Sequence, residues 1–351
     1  MHSPITQPEG AVHGDVLEAT VALRYTTLAD EYAAIRERAA LLDLSGSRVV
    51  EISGGDAVEF AQRVLARDVE YLTAERCMTS LVLDADGRVV DQVVVWGREG
   101  GMLLESSVGG GARLLEHLRA HADGDVEITD RSDELTLFGL EGPYSWGVVG
   151  RLIDGELAAL PFESVVDAEW DGVPIVFART GFTGEYGYKV LLPRAEAQRL
   201  WDAAAAEAVP AGQEALELAM LEVRQPVVHR EAGDADILEI GANWLVDITK
   251  DDFIGRDAVV AAFEGPAGRR TIGFTTAADA PAAGTPVTVD GERIGEVVHA
   301  VHSVGLDAAL GLLRVPADLA AAGLRLTVGD AEVTTLTSPY VTPKSWSTPI
   351  I

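Results

Sequence analysis

The stretch Gly181-Phe182-Thr183-Gly184-Glu185-Tyr186-Gly187 sets one carboxylate among three glycines. Glycines at this spacing let a turn adopt positive φ and let a flat ligand approach the backbone. Glu185 can accept paired N–H donors from the edge of such a ligand; a solvated turn glutamate is the plain alternative. Asp91 and Gln92 are consecutive on a predicted strand, so they point to opposite faces. The Gln92 carboxamide can hydrogen-bond a ligand but cannot accept or deliver a proton at neutral pH. His229-Arg230-Glu231 clusters three polar groups after Pro226, and a histidine there either works as an acid or base near pH 7 or sits in a surface loop. Gly109-Gly110-Gly111 is the nearest approach to a phosphate cradle, with a flexible strand-to-helix turn as the simpler reading.

These residues need elements to hold them. Apolar residues at helical spacing predict a helix over Leu28 to Leu42. Ser47 to Ile52 reads as a strand, and Asp56 as the cap of a helix over Ala57 to Ala66. Strands at Ser80 to Asp84 and Arg88 to Trp96 flank Asp84-Ala85-Asp86-Gly87, a hairpin turn. Met102 to Ser106 is a third strand and Gly111 to His121 a helix. The pattern restarts with strands at Leu135 to Leu140, Pro174 to Arg179 and Tyr188 to Leu192, and helices at Arg194 to Glu207 and Gln213 to Glu222. Beyond Gly265-Pro266-Ala267-Gly268, short strands broken by turns such as Asp290-Gly291 predict a small β barrel or sandwich. Strands punctuated by helices without strict alternation favour α+β domains with antiparallel sheets.

Composition narrows the function. The 351 residues predict two or three domains. A net charge of −29, from 27 Lys+Arg against 56 Asp+Glu, argues against nucleic acid and against anionic membrane surfaces. The single cysteine, Cys77, excludes an intrachain disulfide and a Cys-cluster metal site. No metal-ligand pattern, no dinucleotide-binding glycine motif and no P-loop occurs. The polar N-terminus and the lack of a long apolar stretch predict a cytoplasmic protein.

Eight segments, in order, resemble the glycine-cleavage T-protein family. They are residues 40–46 (ALLDLSG), 64–69 (VLARDV), 87–95 (GRVVDQVVV), 137–143 (LFGLEGP), 178–190 (ARTGFTGEYGYKV), 212–226 (GQEALELAMLEVRQP), 238–244 (LEIGANW) and 252–257 (DFIGRD). The third is similar to the family's "GGiiDDLiV" and the fifth, the most specific, to "sRTGYTGEDGyEi". The match covers roughly residues 30–340.

The resemblance implies an α+β, three-domain aminomethyltransferase fold, with antiparallel sheets around a central folate hole and a C-terminal β barrel. Domain 1 would be residues 1–50 plus 135–262, domain 2 the inserted 51–134, and domain 3 residues 268–351. Tetrahydrofolate is the implied cofactor. Glu185 would hold the pterin, with Gln92, Ser107, Tyr188, Arg224 and Trp244 as further cofactor contacts. Gln92 stands where the family carries an acidic residue facing folate, Thr79 where it has a tyrosine, and Met220 where it has an arginine; Arg224, a turn later, could replace that charge. Lys344 would meet the glutamyl tail or be a solvated terminal lysine. In demethylases of the superfamily an N-terminal segment brings a tyrosine to the substrate, and Arg24-Tyr25 sits in a similar stretch; otherwise Tyr25 packs the domain edge. Tyr25, Gln92 and His229 are thus the expected catalytic set. The expectation is a tetrahydrofolate-dependent demethylase or methyltransferase acting on a small methylated molecule, with no lipoyl carrier protein. The alternatives are a glycine-cleavage aminomethyltransferase, or a diverged member that binds folate without catalysis or uses the hole without folate.

Overall fold

The computed structural model describes residues 2–153 and 160–350. The expected domain spans also take in residues 1, 154–159 and 351, which lie outside the described residues. Among the described residues an N-terminal hairpin, Val12–Val16 with Ala19–Arg24, precedes two larger sheets and a barrel. A six-stranded sheet runs in the order Val165–Trp170, Val173–Ala178, Gly187–Pro193, Leu135–Glu141, Ala40–Asp43, Val209–Ala211. All its pairings are antiparallel except that of Val209–Ala211 with Ala40–Asp43. A five-stranded antiparallel sheet runs Cys77–Leu83, Val89–Arg98, Gly101–Glu105, Val49–Ser53, Glu127–Asp130. Its strands lie in sequence between those of the first sheet. Six strands between Arg269 and Leu336 close into a barrel.

The strand Val89–Arg98 explains why its sequence shows no polar alternation. Val93 and Val95 pack on the helices Ala57–Val64 and Gly111–Ala120. Val94 and Trp96 pack on the other side, with Leu137 and Leu191 of the six-stranded sheet and Leu216 of the helix Gln213–Val223. A strand buried on both faces reads as a continuous apolar run.

The helix expected over Leu28 to Leu42 stops at Glu37. Thr27 caps its start by accepting from the Asp30 N–H at 3.1 Å. The apolar run Ala39 to Leu42 suits helix or strand alike, and pairing with Leu135–Glu141 decides for a strand. Asp56 does not cap its helix with a side-chain bond; its carboxylate instead accepts from the Asp125 N–H at 2.8 Å. The loop at Gly109-Gly110-Gly111 is a packed turn. Gly109 has φ +71, and a Cβ there would lie 2.0 Å from the Val16 carbonyl oxygen in the N-terminal hairpin.

No helix among the described residues is long and apolar enough to cross a membrane.

Candidate functional site

Between the two sheets lies a narrow cavity, about 60 Å³, lined by Gln92, Val94, Glu105, Phe182, Leu216, Met220 and His229 among others. An outer chamber of about 340 Å³ meets it at Ser107, Val228 and His229, and adds Asp91, Gly110 and Arg113. Strand register puts the first polar groups in place. Gln92 and Val94 share one face of their strand, and Val94 pairs across to Glu105. Gln92 and Glu105 therefore lie on the same face of the five-stranded sheet.

From the facing sheet comes Lys189, whose side chain is 1% exposed. Its Nζ donates to Glu105 Oε1 at 2.5 Å and sits 4.2 Å from the centre of the Phe182 ring. Trp96 Nε1 donates to Glu105 Oε2 at 3.4 Å. Gln92 Oε1 is buried and has no hydrogen-bond partner. On the far wall His229 Nε2 lies 3.3 Å from Glu217 Oε1, which also accepts from Gln213 Nε2 at 2.9 Å. Burial pushes the His229 pKa down, with Glu217 opposing, so the imidazole is neutral at pH 7. Next door, Asp91 accepts from the Gln92 N–H at 2.9 Å, from the Ser107 N–H at 3.2 Å and from the Ser107 hydroxyl. Burial nevertheless raises its carboxyl to about 6.

Of the residues proposed from sequence, Gln92, Ser107 and His229 come together here. The others do not. Glu185 lies elsewhere. Its side chain is fully buried, away from the cavity. It accepts from Arg36 at 3.2 Å, from the Lys344 and Ser345 N–H groups at 3.0 and 2.8 Å, and from Ser345 Oγ at 2.6 Å. The surrounding glycines answer to packing: a Cβ on Gly181 would lie 2.9 Å from Gly187 Cα and from the Glu141 carboxyl carbon. Glu141 in turn accepts from the Phe182 and Thr183 N–H groups, which sets Phe182 toward the cavity.

Tyr25 lies in the domain core against Trp201, ring centres 5.7 Å apart, and not at the cavity wall. Burial together with Asp43 and Glu31 pushes its pKa far up, the wrong direction for a proton donor. Tyr188 is wholly buried in the same core, stacked on Phe177. Arg224 closes the helix Gln213–Val223 in a left-handed conformation; its guanidinium donates to Glu231 at 2.7 Å and to the Ile240 carbonyl at 2.5 Å. Its charge is spent there and does not replace one at Met220. Trp244 is 52% exposed and forms no wall. Lys344 Nζ lies over the Tyr144 ring, 5.3 Å from its centre.

Glu105, Lys189 and Phe182 escaped the sequence reading. The signal available was a lone charge inside each of two apolar strand runs, Gly101–Glu105 and Gly187–Pro193, since buried charges need partners. Among the described residues no group of three or more His, Cys, Asp or Glu is arranged to hold a metal ion.

Two facing sheets with a polar-tipped apolar cavity between them, followed by a closed barrel, define an α+β ligand-binding class. A family model described as the GCVT N-terminal domain matches residues 3–250, and one described as the glycine cleavage T-protein C-terminal barrel domain matches residues 269–339. The chain belongs to the glycine cleavage T-protein family. It is 34% identical over 299 residues to an aminomethyltransferase of Rubrobacter xylanophilus, covering 84% of this chain and 80% of that one. An aminomethyltransferase of Bacillus subtilis is 29% identical over 321 residues, covering 89% and 88%. The crystal structure of glycine cleavage system aminomethyltransferase T from Bartonella henselae shares the fold, with TM-score 0.87 over 95% of each chain and 22% identity. These relatives overturn the expectation of a free methylated molecule in place of a lipoyl carrier protein.

Proposed function

We propose that this chain is a tetrahydrofolate-dependent aminomethyltransferase of the glycine-cleavage type, working on an aminomethyl group delivered by a lipoyl carrier protein. The observation that carries this reading is the 34% identity with an aminomethyltransferase over most of both chains. Bound tetrahydrofolate supplies the nitrogen nucleophile that takes up the one-carbon unit.

The chain's residues suit that cofactor. The orphaned Gln92 Oε1 offers an acceptor to a ring N–H, and Leu216, Met220 and Phe182 give apolar flanks. Seating a bicyclic ring in so narrow a cavity requires the flexible Met220 side chain and Phe182 to give way. Gln92 holds a ligand but moves no proton. His229, neutral and at the junction of the two chambers, is the group able to take one, and Asp91 is a second titratable group at the outer chamber. Most of the rate enhancement is positioning of the carrier's aminomethyl group against folate. The demethylase reading has the weaker support, because its proton donor, Tyr25, lies in the core.

The test supplies purified protein with aminomethyl-loaded lipoyl carrier and tetrahydrofolate, and measures ammonia and methylene-tetrahydrofolate. Turnover is expected. No turnover there, with a methyl group transferred intact from a methylated amine to give 5-methyl-tetrahydrofolate and the demethylated amine instead, would move the chain to the demethylase branch.

A further inference from the structure

We infer that Glu105 and Gln92, and not Glu185, recognise the N–H edge of the ring bound in this cavity. This rests on the folate reading and names the residues that would carry it. Glu185 has no acceptor capacity to spare, since Arg36, two backbone N–H groups and the Ser345 hydroxyl occupy its two oxygens. Glu105 has spare capacity. Lys189 occupies one site on Oε1 and Trp96 makes one long contact to Oε2, which leaves further lone pairs on a carboxylate that lines the cavity.

The pairing with Lys189 explains how a carboxylate persists there. An isolated buried charge is costly, and a partner within hydrogen-bond reach offsets much of that cost. Beside it stands Gln92 Oε1, an acceptor already removed from water and unpaired. A buried orphan of this kind is satisfied when a donor arrives. Two acceptors on one sheet face, with Phe182 and Met220 flanking, fit a flat heterocycle that presents adjacent N–H donors along one edge, as a 2-amino-4-oxo pyrimidine ring does. Because Lys189 neutralises Glu105, the pair favours a neutral ring. That ring chemistry is shared by the pterin of tetrahydrofolate and by guanosine, so both serve as probes.

The experiment is calorimetric titration of the full chain with tetrahydrofolate and, separately, with guanosine, alongside thermal unfolding. The wild type is expected to bind tetrahydrofolate and to bind guanosine far more weakly. Glu105→Gln combined with Lys189→Met removes both buried charges together at similar volume; it and Gln92→Leu are each expected to weaken tetrahydrofolate by about tenfold or more, while Glu185→Gln lowers the unfolding temperature and leaves affinity within about twofold. Should the double variant not fold, Glu105→Asp keeps the charge, withdraws it by one methylene and is expected to show the same loss. Wild-type affinity in the Glu105 variants, or loss of binding confined to Glu185→Gln, would overturn the inference. A wild type that binds guanosine but not tetrahydrofolate would overturn the folate reading beneath it and leave Glu105 and Gln92 as recognition groups.

Discussion

At the scale of single residues, the same amino acid means different things according to what surrounds it. Glu185 and Glu105 are both buried carboxylates facing a cation. The first ties the C-terminal segment to the helix Leu28–Glu37 through Arg36, and the second lines a cavity. Replacing Glu185 with Ala leaves the Lys344 and Ser345 donors unpaired while Arg36 keeps Glu222, so it should destabilise the protein by about 1–3 kcal/mol in denaturant titration. Asp91 makes a pH-dependent prediction. Burial raises its carboxyl to about 6, above the ordinary aspartate value. The folded protein then keeps a proton that the unfolded chain has released, so the group's contribution is full below about pH 4 and is lost as pH rises through about 6. Unfolding temperatures measured across that window should fall with rising pH from this group, and Asp91→Asn should flatten the fall.

Elements are legible in the sequence where one chain segment decides them and obscure where a partner does. The hairpin Cys77–Leu83 to Val89–Arg98 announces itself through its Asp84 to Gly87 turn, and the helix Gln213–Val223 through its periodicity. The run Ala39 to Leu42 does not, because its strand state comes from pairing with residues nearly a hundred positions later. The cavity was half legible for the same reason. Gln92 and His229 lie in segments with a recognisable pattern. The Glu105–Lys189 pair needs the register of two sheets, which no local spacing encodes. The glycine turn is ambiguous in sequence because its spacing is shared by ligand approach and by close backbone packing, and the positions of Glu141 and Gly187 show the packing. Gly109 tests the packing account. With φ +71 and the Val16 carbonyl where a Cβ would go, Gly109→Ala should cost at least about 1–3 kcal/mol and loosen the N-terminal hairpin, read by amide hydrogen exchange in residues 12–24.

For the whole molecule, charge is the quantity that acts at a distance. The chain carries −29, and many of its ion pairs are exposed pairs such as Arg325 with Glu332 and Arg151 with Glu207. Exposed pairs contribute little each, about 0–1 kcal/mol, whereas an excess of one sign repels itself throughout the surface of a compact state. The two effects respond to salt in opposite directions. Screening weakens the pairs and lowers stability; screening relieves the self-repulsion and raises it. With more than twice as many acidic as basic side chains, repulsion should win. The buried pairs Lys189–Glu105 and Arg36–Glu222, nearly closed to solvent, lie beyond the reach of mobile ions and keep their strength. The unfolding temperature should therefore rise between about 0.01 and about 0.3 M sodium chloride, over which the screening length drops from about 30 Å to well under 10 Å. A fall would mean that the surface pairs form a network strong enough to outweigh the excess charge. The same field bears on the site: an anionic cofactor such as tetrahydrofolate approaches a negatively charged molecule, so its association should accelerate over the same salt range, in stopped-flow measurement.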